Sequence, residues 1–356
     1  MQVIAQHSKA PNSPLDRGAS DQCLPNGNQT RSRVISHPRK VAGNPDRRRA
    51  IPAGAVESQW TAPGGHRIRR IDLKPLSGGA RGGILFLPGR GDFYEKYLET
   101  LADWRDRGWL ATGIDWRGQG GSGRLGADAV TGHVGDFHDW VGDLAAFWAD
   151  WTKEAPGPHV IVGHSMGGHL ALRAATEGKV SPDALILVAP MLGFRGKMPP
   201  ALMHTVARAM TRVGDPRRPA WKWSEKPGEP PASRKHLLTH DDDRYEDELW
   251  WRSQRPELVM GPGSWGWVER AFASIRALAA PGVLEAMTVP TLILAATNDQ
   301  LVSWPAIAAA AARLPNVELV RFGPESHHEI LRETDAVRGR AMDAIDAFLA
   351  QVLDGA

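Results

Sequence analysis

A serine flanked by glycines is the first candidate for chemistry in this chain of 356 residues. The segment GHSMGG, residues 163–168, fits the pattern Gly-x-Ser-x-Gly with Ser165 at its centre. In this pattern the serine lies on a tight turn from strand to helix, and the glycines avoid collisions with neighbouring elements. The apolar run HVIVGHS precedes the turn, and the helical pattern MGGHLALRAATEG follows it. This context predicts a nucleophile at Ser165, against the alternative of a glycine-rich turn with an idle serine.

Residues further along the chain could activate this serine. A serine hydroxyl needs a base to take its proton, and the base needs a carboxylate to orient it. Asp299 ends the run TLILAATND, and the pair His327 and His328 follows the run VELVRFG. The order serine, aspartate, histidine at successive strand ends is that of the α/β-hydrolase triad. The residues alone leave two alternatives open: Asp299 as a turn former, and His327 in place of His328.

Two backbone N–H groups are candidates for an oxyanion hole, which holds the charge of the tetrahedral intermediate. One is expected at Met166, directly after the nucleophile, and the other at Arg90, in the loop after the run GILFLPG. The side chain of Arg90 is either surface charge or a neighbour of the substrate, and both alternatives stay open. The carboxylates beside the histidine pair, Glu325 and Glu329, are predicted to be solvated loop residues.

Short apolar runs alternate with helical patterns from residue 66 to the C-terminus. Most of the runs are continuous, as is typical of strands buried on both faces of a parallel sheet. Repeated strand–helix units therefore predict an α/β fold with a mainly parallel sheet. The predicted strands are residues 66–73, 83–89, 109–116, 159–165, 184–190, 291–299 and 317–323, and the predicted helices are 95–107, 135–153, 166–178, 304–313 and 335–353.

The interval 191–283 interrupts this alternation and contains six tryptophans. A loop of that length without secondary structure is uncommon, so a largely helical inserted lid is predicted. Its tryptophans either line the apolar wall of an acyl-chain site or form a small core of the lid itself. The predicted organisation is a disordered basic tail at 1–50, a core at 51–190 and 284–356, and the lid at 191–283.

Charge is distributed unevenly along the chain. The net charge is +3, yet the first 50 residues hold nine Lys or Arg against three Asp, so residues 51–356 are net acidic. A net acidic folded part argues against a nucleic-acid binder. The lone Cys23 can form no intrachain disulfide, and no apolar run is long enough for a membrane span or a signal peptide. A cytoplasmic protein of undetermined oligomeric state is expected.

Several motifs beyond the triad carry a family resemblance. LPGRGDFYEKYLET, GIDWRGQGGSGR, GHVGDFHDW, GHSMGG, GSWGWVERAF, TNDQLV and HHEIL resemble the bacterial lysophospholipase and monoacylglycerol lipase group of α/β-hydrolases, from about residue 66 onward. The resemblance implies a serine ester hydrolase without metal or organic cofactor, acting on a single-chain acyl lipid, with peripheral contact to the inner membrane surface as an option. It assigns the base to the histidine directly before Glu, His328, and places Trp265 and Trp267 near the substrate.

Two other kinds of function compete with this interpretation. The same triad would serve a short-acyl carboxylesterase, a thioesterase or an aminopeptidase of the same fold. A protein of a different class, a hydrolase-like binding protein without catalysis, is disfavoured by the complete set of triad residues.

Overall fold

A computed structural model describes residues 45–196, 198–222 and 234–353 of the chain. Within these ranges the strands form one mixed sheet of eight strands. Across the sheet the strand order is β1-β2-β4-β3-β5-β6-β7-β8. The pairs β1–β2 and β2–β4 are antiparallel, and the other pairs are parallel. The predicted α/β fold is therefore confirmed. The strands are β1 (Val56–Thr61), β2 (Arg67–Leu73), β3 (Gly83–Leu87), β4 (Leu110–Ile114), β5 (His159–His164), β6 (Ala184–Val188), β7 (Thr291–Ala296) and β8 (Val317–Phe322).

Helices flank this sheet and connect its parallel strands. Helix α2 packs on β4, α4 on β5 and β6, α9 on β7 and β8, and α10 on β6 and β7. The five predicted helices are present, with ends that differ by a few residues. The helices are α1 (Pro45–Arg48), α2 (Leu98–Asp106), α3 (Phe137–Glu154), α4 (Met166–Thr176), α5 (Pro200–Arg212), α6 (Lys235–Leu238), α7 (Asp242–Gln254), α8 (Trp265–Leu278), α9 (Trp304–Ala311) and α10 (Asp335–Leu353). None of the helices in the described ranges is long and apolar enough to cross a bilayer.

Burial explains which strands the sequence revealed. Strands β3, β4, β6 and β7 are buried along their whole length, which is why they are continuous apolar runs. Strand β1, with the sequence VESQWT, was not predicted. It pairs only with β2 at the edge of the sheet, and five of its six residues are exposed. An exposed edge strand needs no apolar pattern, so the sequence carries no signal for it.

The predicted disordered tail extends too far at its C-terminal end. Residues 45–48 form α1, a single helical turn that contacts α2 and α7. The side chain of Arg48 is buried against Asp247, and the indole N–H of Trp251 donates to the Arg48 carbonyl at 2.8 Å. A buried cation with a partner fixes the chain here, although three consecutive arginines resemble solvated charge. Residues 1–44 of the predicted tail, including Cys23, lie outside the described residues.

The inserted interval is helical, as predicted. Helices α5, α6, α7 and α8 all fall within residues 191–283. Helix α8 packs on α5 and also contacts α3 and α4. Residues 197 and 223–233, with Trp223, lie outside the described ranges. Residues 191–283 form the insert, and its action as a lid stays a prediction.

Candidate active site

Ser165 lies on the turn between β5 and α4, where its backbone has φ 51° and ψ −114°. Such a conformation in a residue other than glycine costs roughly 1–3 kcal/mol, and it persists only where the surroundings hold it. The Ser165 N–H donates to Val188 O at 2.9 Å, and its carbonyl accepts from the N–H groups of His169 and Met191, both at 3.0 Å. These hydrogen bonds fix the strained turn at the C-terminal edge of the sheet.

The two glycines of the motif are required by the same turn. A Cβ on Gly167 would lie 2.2 Å from the carbonyl oxygen of Leu87, at the end of β3. A Cβ on Gly163 would lie 2.6 Å from the Cα of Gly168. Both separations are far inside van der Waals contact, so helix α4 can pack this closely on the sheet only with glycine at these positions.

Asp299 and His328 form a hydrogen-bonded pair. His328 Nδ1 lies 2.6 Å from Asp299 Oδ2, and both side chains are buried. The other carboxylate oxygen, Oδ1, accepts the N–H groups of Leu301 at 2.7 Å and Val302 at 3.0 Å. Asp299 follows β7 and His328 follows β8, at the same edge of the sheet as Ser165. The carboxylate is thus held rigidly, with one oxygen left to orient the imidazole.

Each member of this pair favours the charged form of the other. Burial acts to raise the pKa of Asp299, but His328 and the two backbone amides lower it below the usual 3.8. Burial likewise acts to lower the pKa of His328, but the charge and the hydrogen bond of Asp299 outweigh it and raise this pKa above 6.5. An imidazolium at this position is therefore stabilised, as a general base that takes a proton requires.

We expect the acid limb of the pH profile of kcat/KM to have its midpoint above pH 6.5, because a base must be neutral to accept a proton and Asp299 raises the pKa of His328. In Asp299→Asn the midpoint should move down, since burial then acts without the opposing carboxylate. Both profiles are measured with a soluble ester whose hydrolysis is independent of aggregation. A wild-type midpoint at or below 6.5 would contradict this account of the pair.

The structure separates the two adjacent histidines. The His327 ring stacks on the ring of His240, with centroids 3.8 Å apart, and the backbone N–H of His327 donates to Glu333 Oε1 at 2.7 Å. The His328 ring points toward Asp299 and also lies 4.8 Å from the ring of His164. The geometry thus brings His328, and not His327, to the acid. Neighbouring loop residues face opposite ways here, which no spacing in the sequence could reveal.

Ser165 and His328 line one cavity of about 890 Å³. Gly89 and Arg90 lie beside them, and a Cβ on Gly89 would be 3.2 Å from the Cβ of Ser165. The N–H groups of Arg90 and Met166 donate to no residue in the described ranges. The Met166 N–H also lies at the first turn of α4, where the helix dipole favours negative charge. These groups can receive an oxyanion formed on a substrate bound at Ser165.

The tryptophans of the insert lie in two different places. Trp221, Trp265 and Trp267 line the cavity. Trp250 and Trp251 instead stack edge to face at 4.8 Å and form part of the packing against α1. Trp265 and Trp267 thus lie where contact with a substrate is expected, whereas Trp250 and Trp251 pack against α1 and not only within the insert. A role of the tryptophans in an acyl-chain site stays a prediction.

A buried charge cluster lies at the wall of the cavity, and sequence reasoning missed it. Lys96 Nζ lies 2.6 Å from Asp92, 2.9 Å from Glu248 and 2.8 Å from Glu329. Arg332 pairs with Glu248 and Glu329 as well. The prediction of a solvated Glu329 is wrong, because two cations offset the cost of burying this carboxylate. Glu325, the other carboxylate predicted to be solvated, is exposed as expected.

The cluster connects the segments that form the site. Asp92 Oδ2 accepts the N–H of Gly89 at 3.0 Å and the hydroxyl of Tyr97 at 2.9 Å, and it lies 3.1 Å from His164 Nδ1. Glu329 directly follows His328, and Glu248 belongs to α7 of the insert. Through Lys96 the loop beside Ser165, the histidine loop and the insert share one set of ion pairs. The cluster therefore positions the loops, and two of its carboxylates, Asp92 and Glu329, also line the cavity.

The chain is similar to a known family and to several named proteins. Residues 78–335 match the family model described as "Serine aminopeptidase, S33". The chain is 33% identical over 279 residues to lysophospholipase L2 of Escherichia coli strain K12, covering 74% of this chain and 79% of that protein. It is 23% identical to the probable lysophospholipase L2 of Haemophilus influenzae, covering 75% of this chain and 83% of that protein.

Solved structures share the fold at lower sequence identity. A soluble variant of monoglyceride lipase from Saccharomyces cerevisiae superposes with a TM-score of 0.67 at 18% identity, covering 83% of this chain and 94% of that chain. The monoacylglycerol lipase of Paleococcus ferrophilus gives 0.60 at 17% identity, covering 80% and 98%. Because residues 78–335 match the family model and the chain is 33% identical to lysophospholipase L2, the chain belongs to this α/β-hydrolase family. It is a serine ester hydrolase in the group of the bacterial lysophospholipases and monoacylglycerol lipases.

Proposed function

We propose that the chain hydrolyses the acyl ester of a lysophospholipid or a monoacylglycerol, with Ser165 as nucleophile, His328 as base and Asp299 as the acid that orients it. The observation that carries the proposal is the buried Asp299–His328 pair at the same cavity as Ser165. His328 takes the proton as Ser165 Oγ attacks the carbonyl carbon, and the N–H groups of Arg90 and Met166 hold the oxyanion. His328 then protonates the leaving alcohol, and water releases the fatty acid from the acyl-enzyme.

The cavity supports an acyl chain as the substrate's apolar part. Its volume, about 890 Å³, is within the range of pockets that bind small molecules. Apolar side chains of the insert form much of its wall, among them Phe194, Met203, Trp265, Val268 and Phe272. An aminopeptidase would need a free carboxylate for the substrate's amino group. Of the described lining residues, the carboxylates Asp92 and Glu329 are both bound to Lys96, which argues against that alternative.

Peripheral contact with a membrane is part of this proposal. Helix α5 and the segment before it expose apolar side chains at Met198, Leu202 and Val206. Met198 also lines the cavity, so the exposed apolar surface adjoins the route to Ser165. A lipid substrate could thus pass from a bilayer to the cavity without crossing water.

The proposed nucleophile can be tested independently of the substrate. A fluorophosphonate probe should add one adduct to the wild-type chain, detected by intact mass, and none to Ser165→Ala. The substrate class of the enzyme is then determined with a panel of substrates. The panel contains lysophosphatidylcholine and monoacylglycerol with the same acyl chain, short and long p-nitrophenyl esters, an acyl thioester and an aminoacyl anilide. Absence of the adduct would refute Ser165 as nucleophile. An adduct together with hydrolysis of short esters alone would refute the lipid substrate.

A further inference from the structure

The side chain of Arg90 reaches into the cavity between two aromatic rings of the insert. Its guanidinium carbon lies 5.1 Å from the ring centroids of both Trp221 and Trp267. Nη2 donates to the Gly261 carbonyl at 2.7 Å, while Nε is buried and has no hydrogen-bond partner in the described ranges. The sequence left the role of this side chain open. In the structure it is a cavity residue with a donor group that the protein does not use.

Arg90, which is partly buried, also has no carboxylate partner among the described residues, and this sets it apart from the buried arginines Arg244 and Arg332. Arg244 pairs with Glu99 at 2.8 Å, and Arg332 pairs with Glu248 at 3.1 Å. Burial, with a smaller effect of Arg234, lowers the pKa of Arg90 to about 9, so the guanidinium is still mostly charged at neutral pH. A partly desolvated cation without a counter-charge gains from a ligand that supplies one. The carboxylates lining the cavity cannot do so, because Lys96 holds both of them.

The position of this cation relative to the proposed reaction defines the ligand. The backbone N–H of Arg90 is the proposed donor to the ester oxyanion, and its guanidinium carbon is five bonds from Cα, or about 6 Å when extended. In a lysophospholipid, five or six bonds separate the ester carbonyl carbon from phosphorus, which is a span of about 6–7 Å. A substrate whose carbonyl oxygen meets the Arg90 N–H therefore has its phosphate within reach of the same residue's side chain.

We infer that the Arg90 guanidinium binds the phosphate of a lysophospholipid, so that this residue favours lysophospholipids over monoacylglycerols. The inference rests on the proposed function. Nε and one further N–H can donate side by side to two phosphate oxygens, which is the geometry that arginine offers and lysine does not. The rings of Trp221 and Trp267 hold the plane of the guanidinium by cation–π contact. A monoacylglycerol presents only a neutral hydroxyl at the corresponding position.

The test compares two substrates with one acyl chain, a short-chain lysophosphatidylcholine and the matching monoacylglycerol, both below their aggregation limits. In Arg90→Met, the ratio of kcat/KM for the lysophospholipid to that for the monoacylglycerol should fall about ten- to hundredfold, as expected for loss of hydrogen bonds between charged groups. Most of the change should be in KM, because the phosphate is bound equally before and during the chemical step. Arg90→Lys should lie between wild type and Arg90→Met.

Controls separate this result from other causes. Arg208→Met removes an exposed cation from α5 and should leave the ratio unchanged, since Arg208 does not line the cavity. Fluorophosphonate labelling of each variant reports whether the site is still folded. Equal losses on both substrates, or an unchanged ratio in Arg90→Met, would overturn the phosphate site. A wild-type enzyme that labels but hydrolyses neither lipid would instead refute the proposed function.

Discussion

Replacing Ser165 or His328 with alanine is expected to lower kcat for ester hydrolysis by about 10⁴- to 10⁶-fold, and replacing both should cost little more than replacing either one. The two residues act as a unit, because the hydroxyl is a poor nucleophile without the base and the base has no function without the hydroxyl. Rates are measured with a p-nitrophenyl ester, and mass spectrometry excludes contamination by wild-type enzyme. Residual activity would come from the oxyanion hole and from binding alone.

The adjacent histidine provides a matched control for this result. His327→Ala should retain most of the activity, because the His327 ring stacks on His240 and the interaction with Glu333 uses its backbone N–H. An active Ser165→Ala variant would refute the mechanism as a whole. The opposite pattern, an active His328→Ala beside an inactive His327→Ala, would show that the loop is correct and the chosen residue is not.

The fold could be predicted where burial leaves a pattern in the sequence. The central strands are buried on both faces and form continuous apolar runs, and α10 has apolar residues at helical spacing. Edge strand β1 and the turn α1 escaped prediction for the opposite reason. Residues of β1 are mostly exposed, and Arg48 is held by an ion pair to Asp247, which lies 199 residues further along the chain. Neither an exposed edge strand nor a long-range ion pair produces a periodic pattern of apolar residues in the local sequence.

In the candidate site, too, the features with a local sequence pattern could be predicted, and those that depend on distant residues could not. The glycine pattern and the order of strand ends depend on local turns, so they indicated Ser165 and the loops that contain Asp299 and His328. The choice between the two histidines came from a family resemblance, since physical reasoning from the sequence gives no ring direction. The Lys96 cluster was invisible because Lys96 and Glu329 are 233 positions apart. The surroundings of Arg90 depend on Trp221 and Trp267 of the insert, which are 131 and 177 positions further along the chain.

Lys96→Met is expected to lower the free energy of unfolding by about 3–5 kcal/mol, the usual effect of removing one partner from a buried ion pair. Methionine has a similar length, so the variant leaves little cavity but deprives Asp92, Glu248 and Glu329 of their shared cation. Urea titration followed by tryptophan fluorescence measures the change. Lys153→Met is the control: this side chain is 73% exposed and pairs only at the surface, so its effect should stay within about 0.5 kcal/mol.

The difference in the free energy of unfolding between wild type and Lys96→Met should depend on pH. This dependence distinguishes the loss of charge pairing from the loss of packing. Burial acts to raise the pKa values of Asp92, Glu248 and Glu329, but nearby cations, Lys96 among them, outweigh it and lower all three. Carboxylates with lowered pKa values stabilise the fold above their ordinary pKa, and this contribution is lost as pH falls. The stability gap between wild type and Lys96→Met should therefore be widest at neutral pH and narrow as pH falls below about 4, where the unfolded carboxylates are protonated first and the folded ones follow at lower pH. A gap that stays constant with pH would assign Lys96 a packing role and contradict the charge cluster as the link between the histidine loop and the insert.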